Sequence, residues 1–271
     1  MNLAEKRGCR ILVLVFSLLP AMAVALTPSA GSTAPLPDGV SPSHKLVPGM
    51  YVRSEGTLMA TGGIDLQIQM FKAFDKICQA RGLGGAKVVQ GRIEDLALPS
   101  TSQAYFDGMR SAGYAVALFL EPNVDDPNRC SYRVVAETTR VLKVFDGHQT
   151  TLTVTDRKGT HTRVIPGDMR PPAIEKLAGQ SWPPASGWQK GSADLVAGVP
   201  CHHWTFDAAG AKIELCIPDP GAVAPPMDRG SLRSHFGKGD VTLYDETVKE
   251  LTTSSSIDEA VFDPAAWGAG R

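Results

Sequence analysis

Cys201 and Cys216, each set inside a run of alternating side chains, constrain this chain more than any other feature. Val199 to Phe206 and Ala211 to Ile217 alternate around Asp207-Ala208-Ala209-Gly210, the pattern of a β-hairpin. A symmetric four-residue turn sets Cys201 directly opposite Cys216, within disulfide reach. It also sets His202 against Leu215, Trp204 against Ile213 and Phe206 against Ala211 on one face. His203 against Glu214 and Thr205 against Lys212 share the other face with the cystine. Apolar and polar partners sort cleanly, as one buried and one wetter face require. Closing a loop of about 15 residues stabilises by roughly 3 kcal/mol, whereas a cross-strand pair adds about 0.2–1 kcal/mol, so the disulfide dominates as the register lock.

Cysteine pairing presupposes an oxidising compartment, and the N-terminus supplies a route to one. Lys6, Arg7 and Arg10 precede the apolar run Ile11 to Leu19, followed by Ala21-Met22-Ala23 and Ala23-Val24-Ala25. This is the layout of a cleaved secretory signal over residues 1–25, and the run is short for a membrane span of about 20 residues. Cys9 leaves with it. The expected location is periplasmic or secreted, in a bacterial envelope, with no membrane span after cleavage. Cys78 then pairs with Cys130 by elimination. None of the four cysteines stands in C-x-x-C spacing, which argues against a redox dithiol or a zinc ribbon.

Residues 26–48 hold five prolines and little to bury, and read as a flexible spacer. Residues 49–129 read as an α/β portion. Ile64, Ile68, Phe71, Phe74 and Cys78 recur at helical spacing before Gly82, which suits a C-cap. A strand is expected at Lys87 to Ile93, a second helix over Thr101 to Ala112 after Ser100, and a buried strand over Tyr114 to Leu120. From Cys130 the period changes to two, and residues 130–271 read as an antiparallel β-rich portion. Strands are expected at Ser131 to Glu137, Arg140 to Phe145, Thr150 to Asp156 and Thr160 to Ile165. A three-residue turn, Arg157-Lys158-Gly159, sets Leu152 against Val164 and leaves His161 on the solvent face. A short helix over Pro171 to Gln180, a loop over Ser181 to Gly191, a long loop from Pro218 to Gly239 and a strand from Val241 to about Ser255 complete the chain. The expected fold class is α+β: a curved antiparallel sheet with an N-terminal α/β portion and two disulfides.

Formal net charge is −1, with 27 Lys+Arg against 28 Asp+Glu. No basic surface of the kind nucleic-acid phosphates demand is implied. Chemical motifs fail on spacing. Cys201-His202-His203 has metal-ligand residue types, but on a strand the two histidines point to opposite faces and the cysteine belongs to a cystine. Gly237-Lys238-Gly239 lacks the upstream spacing and the Ser/Thr of a phosphate loop, and Arg81-Gly82-Leu83-Gly84-Gly85 follows a helix rather than a strand. Pro122 and Pro127, set among Asp125, Asp126 and Asn128, make this stretch read as an acidic surface turn rather than a calcium loop. There is no G-x-S-x-G elbow and no H-E-x-x-H. No cofactor, metal or catalytic residue is therefore assigned.

Leu195-Val-Ala-Gly-Val-Pro-Cys-His-His-Trp204, Ile213-Glu-Leu-Cys-Ile217 and Ala260-Val-Phe-Asp-Pro264 together resemble exported half-barrel proteins of the periplasmic lipoprotein-carrier type, over about residues 130–268. The resemblance implies a curved antiparallel sheet wrapping a helix and offering an apolar cavity to lipid. With it, His202, Trp204, Phe206, Ile213 and Leu215 become candidate ligand-lining residues of an envelope binding protein. Two alternatives are a secreted hydrolase with a histidine-dependent site and a purely structural envelope protein.

Overall fold

The computed structural model describes residues 32–57, 64–169, 187–208, 210–222, 230–239 and 241–267. Residues 1–25 of the expected signal, the expected helix over Pro171 to Gln180 and the first part of the loop after it lie outside these. Twelve strands, β1 (Leu46–Thr57), β2 (Lys87–Gln90), β3 (Ser100–Phe106), β4 (Arg110–Pro122), β5 (Ser131–Phe145), β6 (Gln149–Asp156), β7 (Gly159–Pro166), β8 (Gln189–Val196), β9 (Val199–Ala208), β10 (Ala211–Pro218), β11 (Arg233–Lys238) and β12 (Val241–Asp258), accompany one helix, α1 (Ile64–Ala80). Eleven of the strands form an antiparallel path in the order β7-β6-β5-β4-β3-β1-β12-β11-β10-β9-β8, and β2 pairs with β5 in parallel. The result is one open, curved, mostly antiparallel sheet with two disulfides.

Among the described residues, the strands of the expected α/β portion, β1 to β4, pair within this same sheet. The second expected helix, over Thr101 to Ala112, is instead β3, a turn and the start of β4. The turn chemistry explains the difference. Asp107 Oδ1 accepts from the backbone N–H groups of Met109 and Arg110, and Gly108 takes φ 92°, which glycine adopts without a Cβ clash. Tyr105, fully buried, then packs at a tilt against Tyr51 of the adjacent β1, with ring centroids 5.3 Å apart. Sheet pairing also runs without a break across residues 129 and 130, since β4 and β5 pair from Arg110↔Val144 to Pro122↔Tyr132.

Residues 32–48 pack instead of hanging free. Ala34 and Val40 are buried, Ala34 N–H donates to the Ser256 carbonyl, and Val40 bridges to Trp267. Prolines do not prevent this, because a proline carbonyl still accepts: Tyr105 donates its hydroxyl to the Pro35 carbonyl at 2.7 Å. The strap joins Tyr51, Tyr105, Tyr114, Leu142, Ile257, Val261, Phe262 and Trp267 in one core cluster. A second cluster holds Met50, Val52, Val196, Val199, Cys201, Cys216, Leu232 and Val248.

The helix is where its period places it. Phe71 and Phe74 pack on Tyr132, Gln67 bonds the backbone of Leu118 and Leu120, and Cys78 is joined to Cys130. Gly82 ends it at φ 73°, a left-handed stop of the kind glycine supplies.

Two hairpins differ in register from the sequence expectation. In β6–β7 the turn has two residues, Arg157 and Lys158, with Asp156 opposite Gly159 and Leu152 opposite Arg163. The hydroxyls of Thr153 and Thr162, and of Thr155 and Thr160, hydrogen-bond across the strands, a pairing that the alternative register forfeits. His161 is exposed, as expected. In β9–β10, Ala208 opposes Ala211, so that Cys201 lies opposite Pro218 and Cys216 opposite His203. The cystine therefore runs diagonally, with Cα atoms 5.6 Å apart. A slip of two residues leaves every side chain on its expected face. Two further strands lie where loops were expected: β8 begins at Gln189, and β11 occupies Arg233–Lys238 inside the stretch from Pro218 to Gly239.

Candidate functional site

The β8–β11 end of the sheet presents two faces of opposite chemistry. The β8–β9 connection is a two-residue turn in which Ala197 and Gly198 both have positive φ, 49° and 77°, the geometry that matches strand twist. Pairing across β9, β10 and β11 aligns Trp204, Leu215 and Ser234 in one row and Phe206, Ile213 and Phe236 in the next. These rows share a face, and Tyr244 of β12 follows Phe236 on it. Trp188, just before β8, packs against Phe206 with ring centroids 5.3 Å apart. Of the five candidate lining residues, Leu215 is buried, whereas His202, Trp204, Phe206 and Ile213 are half-buried. His202 Nδ1 lies 2.5 Å from Asp219 Oδ1.

The opposite face aligns His203, Cys216 and Arg233 in one row and Thr205, Glu214 and His235 in the next. Gly191, Ser192, His203, Glu214, Cys216, Arg233 and His235, with Leu215, line an open cleft of about 350 Å³. A Cβ at Gly191 would stand in ordinary contact with the His203 Cβ, at 3.5 Å, so this glycine borders the imidazole at the cleft wall. His203 is half-buried, like Trp204, so the expected contrast between a core tryptophan and an exposed histidine is absent. The cause is a carboxylate from the neighbouring strand: Asp194 Oδ2 lies 3.0 Å from His203 Nε2 and accepts from Arg233 at 3.2 Å. Its other oxygen accepts from the Leu195 N–H.

These partners set the electrostatics. The His203 hydrogen bond, then the Leu195 N–H, hold the Asp194 carboxyl below its ordinary value, with Arg233 adding to the effect. Glu214 is also held low, first by the Lys212 ammonium at 2.7 Å and then by the nearby His235 and His203, against the upward push of burial. Two carboxylates, two imidazoles and two cations thus occupy one face.

Cys201-His202-His203 supplies no chelate as a tripeptide, in keeping with the strand alternation. The structure nevertheless brings Asp194, His203 and Cys216 together, with one ligand-type atom of each within 4.8 Å of the others. The sulfur is tied into the cystine and carries no thiolate charge, so this group as it stands offers a cation only an imidazole and a carboxylate. Sequence reasoning missed Asp194, Arg233 and His235. Arg233 and His235 share strand parity across Ser234, the one local signal, but they lay in a stretch read as loop.

A second cleft, of about 200 Å³, lies between the strap and the sheet, lined by Leu36, Pro37, Asp38, Arg53, Gln103 and Tyr114 among others. It brings together fewer titratable groups than the first. No protein-family model matches the chain, and comparison with curated proteins likewise returns no match.

Proposed function

We propose that the protein is an exported binding protein of the bacterial cell envelope that holds an apolar or acyl-bearing ligand against the aromatic face of β8–β12. One observation carries this reading: Trp188, Trp204, Phe206, Ile213 and Phe236 gather at one end of a curved, open sheet and are only half-buried. Aromatic side chains contribute large contact areas to apolar ligands at small entropic cost. The half-barrel resemblance points to the same class of ligand. Two disulfides suit an oxidising compartment, and no described helix is long and apolar enough to cross a membrane.

Native mass spectrometry of protein purified from an exporting host, without any delipidation step, tests the reading. A retained acyl-lipid mass is expected, together with a shift of tryptophan emission when a long-chain fatty acid is titrated in. Bare apoprotein with unchanged emission would sink it.

A histidine-dependent hydrolase is the second reading, favoured by the His203–Asp194 pair in a cleft that Ser192 also lines. An imidazole oriented by a carboxylate is the usual means of activating a hydroxyl or water. Turnover of short nitrophenyl esters, abolished in His203→Ala and kept in His202→Ala, is its expected signature. Equal turnover in wild type and His203→Ala would exclude it.

A further inference from the structure

We infer that reduction of the Cys201–Cys216 disulfide turns the floor of the β8–β11 cleft into a four-ligand site for a thiophilic divalent cation of the zinc class, bound by Cys201, Cys216, His203 and Asp194. Three strands already deliver the ligands. An oxygen of Asp194 (β8), a ring nitrogen of His203 (β9) and Sγ of Cys216 (β10) lie within 4.8 Å of one another. Cys201 is covalently joined to Cys216, with Cα atoms 5.6 Å apart. Zinc holds sulfur at about 2.3 Å and nitrogen or oxygen at about 2.0–2.2 Å in a tetrahedron. The donors are therefore already gathered at close to the spacing of such a site. Two thiolates and an imidazole select zinc-class ions over magnesium or calcium.

The surroundings fit the charge of that set. Two thiolates and one carboxylate carry three negative charges, and a divalent ion leaves one. Arg233, 3.2 Å from Asp194 Oδ2, offsets it. Arg233 and the Leu195 N–H, 2.7 Å from Asp194 Oδ1, also orient the carboxylate from behind, the task of outer-shell partners in metal sites. His203 would exchange its present bond to Asp194 for one to the ion.

In the oxidised chain the sulfurs are neutral and bonded to each other, and the site is closed. A dithiol reductant opens it. The dithiol becomes a disulfide, its two electrons cleave the S–S bond and its two protons leave Cys201 and Cys216 as thiols. Cation binding then releases both thiol protons to solvent. Both cysteines are fully buried, but Cys216 lines the cleft, which gives exchange a direction of approach. Among the described residues no second group of this kind exists, so Cys78–Cys130 serves as an internal comparison.

The test uses the full folded chain, a trialkylphosphine as reductant, and Co²⁺ as a spectroscopic probe that Zn²⁺ displaces. Thiol count is checked by alkylation and mass, and fold by circular dichroism. The expected result is one Co²⁺ per reduced chain, with thiolate-to-cobalt charge-transfer absorption, and none in the oxidised chain. That absorption disappears in the Cys201→Ser/Cys216→Ser double variant, and affinity falls at least about tenfold in His203→Ala and Asp194→Asn. Complete reduction of both disulfides with no cobalt bands would overturn the inference, as would bands that survive the Cys201→Ser/Cys216→Ser double variant or affinity unchanged by loss of His203. If reduction unfolds the chain, Zn²⁺ must restore the native circular dichroism, and failure to do so overturns it equally.

Discussion

Asp258 ties the N-terminal strap to the end of β12, and replacing it is a direct test of whether residues 32–48 belong to the fold. Its carboxylate Oδ1 accepts from the Ser43 N–H at 3.1 Å, the Ser43 hydroxyl at 2.5 Å and the Ala260 N–H at 2.9 Å, while Oδ2 accepts from the His44 N–H at 3.0 Å. The Ala260 bond also caps the short 3-10 turn Glu259–Phe262. Losing a cap costs about 1 kcal/mol, and losing charge-assisted bonds to the strap costs about 1.5–3 kcal/mol. Asp258→Ala should therefore destabilise by about 3 kcal/mol in a denaturant titration, with faster amide exchange in residues 34–45. Burial raises the carboxyl pKa, but the hydrogen bonds from Ser43, Ala260 and His44 outweigh it and leave the folded value below the ordinary one. A carboxyl lowered on folding contributes stability that is complete above its unfolded value, about 3.9, and is lost as pH falls through the folded value. Asp258→Asn keeps one acceptor but turns an amide donor toward His44, so its deficit against wild type should be largest near neutrality and shrink in acid. A neutral-pH deficit within about 0.5 kcal/mol, or one that does not change down to pH 2, would refute the account of the strap.

Two further perturbations separate the covalent from the packing contributions. Replacing Cys78 and Cys130 by serine should cost about 4 kcal/mol and replacing Cys201 and Cys216 about 3 kcal/mol, because the first closes the longer loop; the reverse order in denaturant midpoints would reject that loop-entropy ranking. Trp204→Ala should cost only about 1–2 kcal/mol because the ring is half-buried, and a loss above about 4 kcal/mol in the same titration would place it in the core instead.

What the sequence made legible follows parity and covalent chemistry. Both cystines and the sidedness of Trp204, Phe206, Ile213 and Leu215 could be read, because alternation survives a two-residue slip. The slip itself could not. Turns of two and four residues give the same parity, and a cystine tolerates a diagonal as well as a direct pair. In β6–β7 the error was a single residue, and the threonine hydroxyl pairs that decide the register were outweighed by an attractive Leu152–Val164 match. Over Thr101 to Ala112, the cap-like Ser100 imitates a helix start, while Asp107-Gly108, a strong turn pair, marks the true hairpin. The cleft was illegible for a different reason. Its carboxylates, imidazoles and guanidinium come from four strands, and β11 was hidden between Pro218 and Gly239.

The two ends of the sheet differ in how their polar groups are satisfied. At the strap end, Tyr105 and Tyr114 donate their hydroxyls to the Pro35 and Val261 carbonyls, both at 2.7 Å, and Trp267 Nε1 donates to the same Val261 carbonyl. Burial drives both phenols well above their ordinary range. Each of these three polar tips has a fixed partner supplied by the strap or by the C-terminal turns. At the β8–β11 end the partners are shared. Asp194 serves both His203 and Arg233, and Glu214 holds Lys212 while His235 and His203 stand near. A carboxylate with two hydrogen-bonding neighbours, such as Asp194, can give up one of them to an incoming group and keep the other, so no buried charge is stranded, which is the costly outcome in a site built of single pairs. This end is also open to solvent and backed by a cystine.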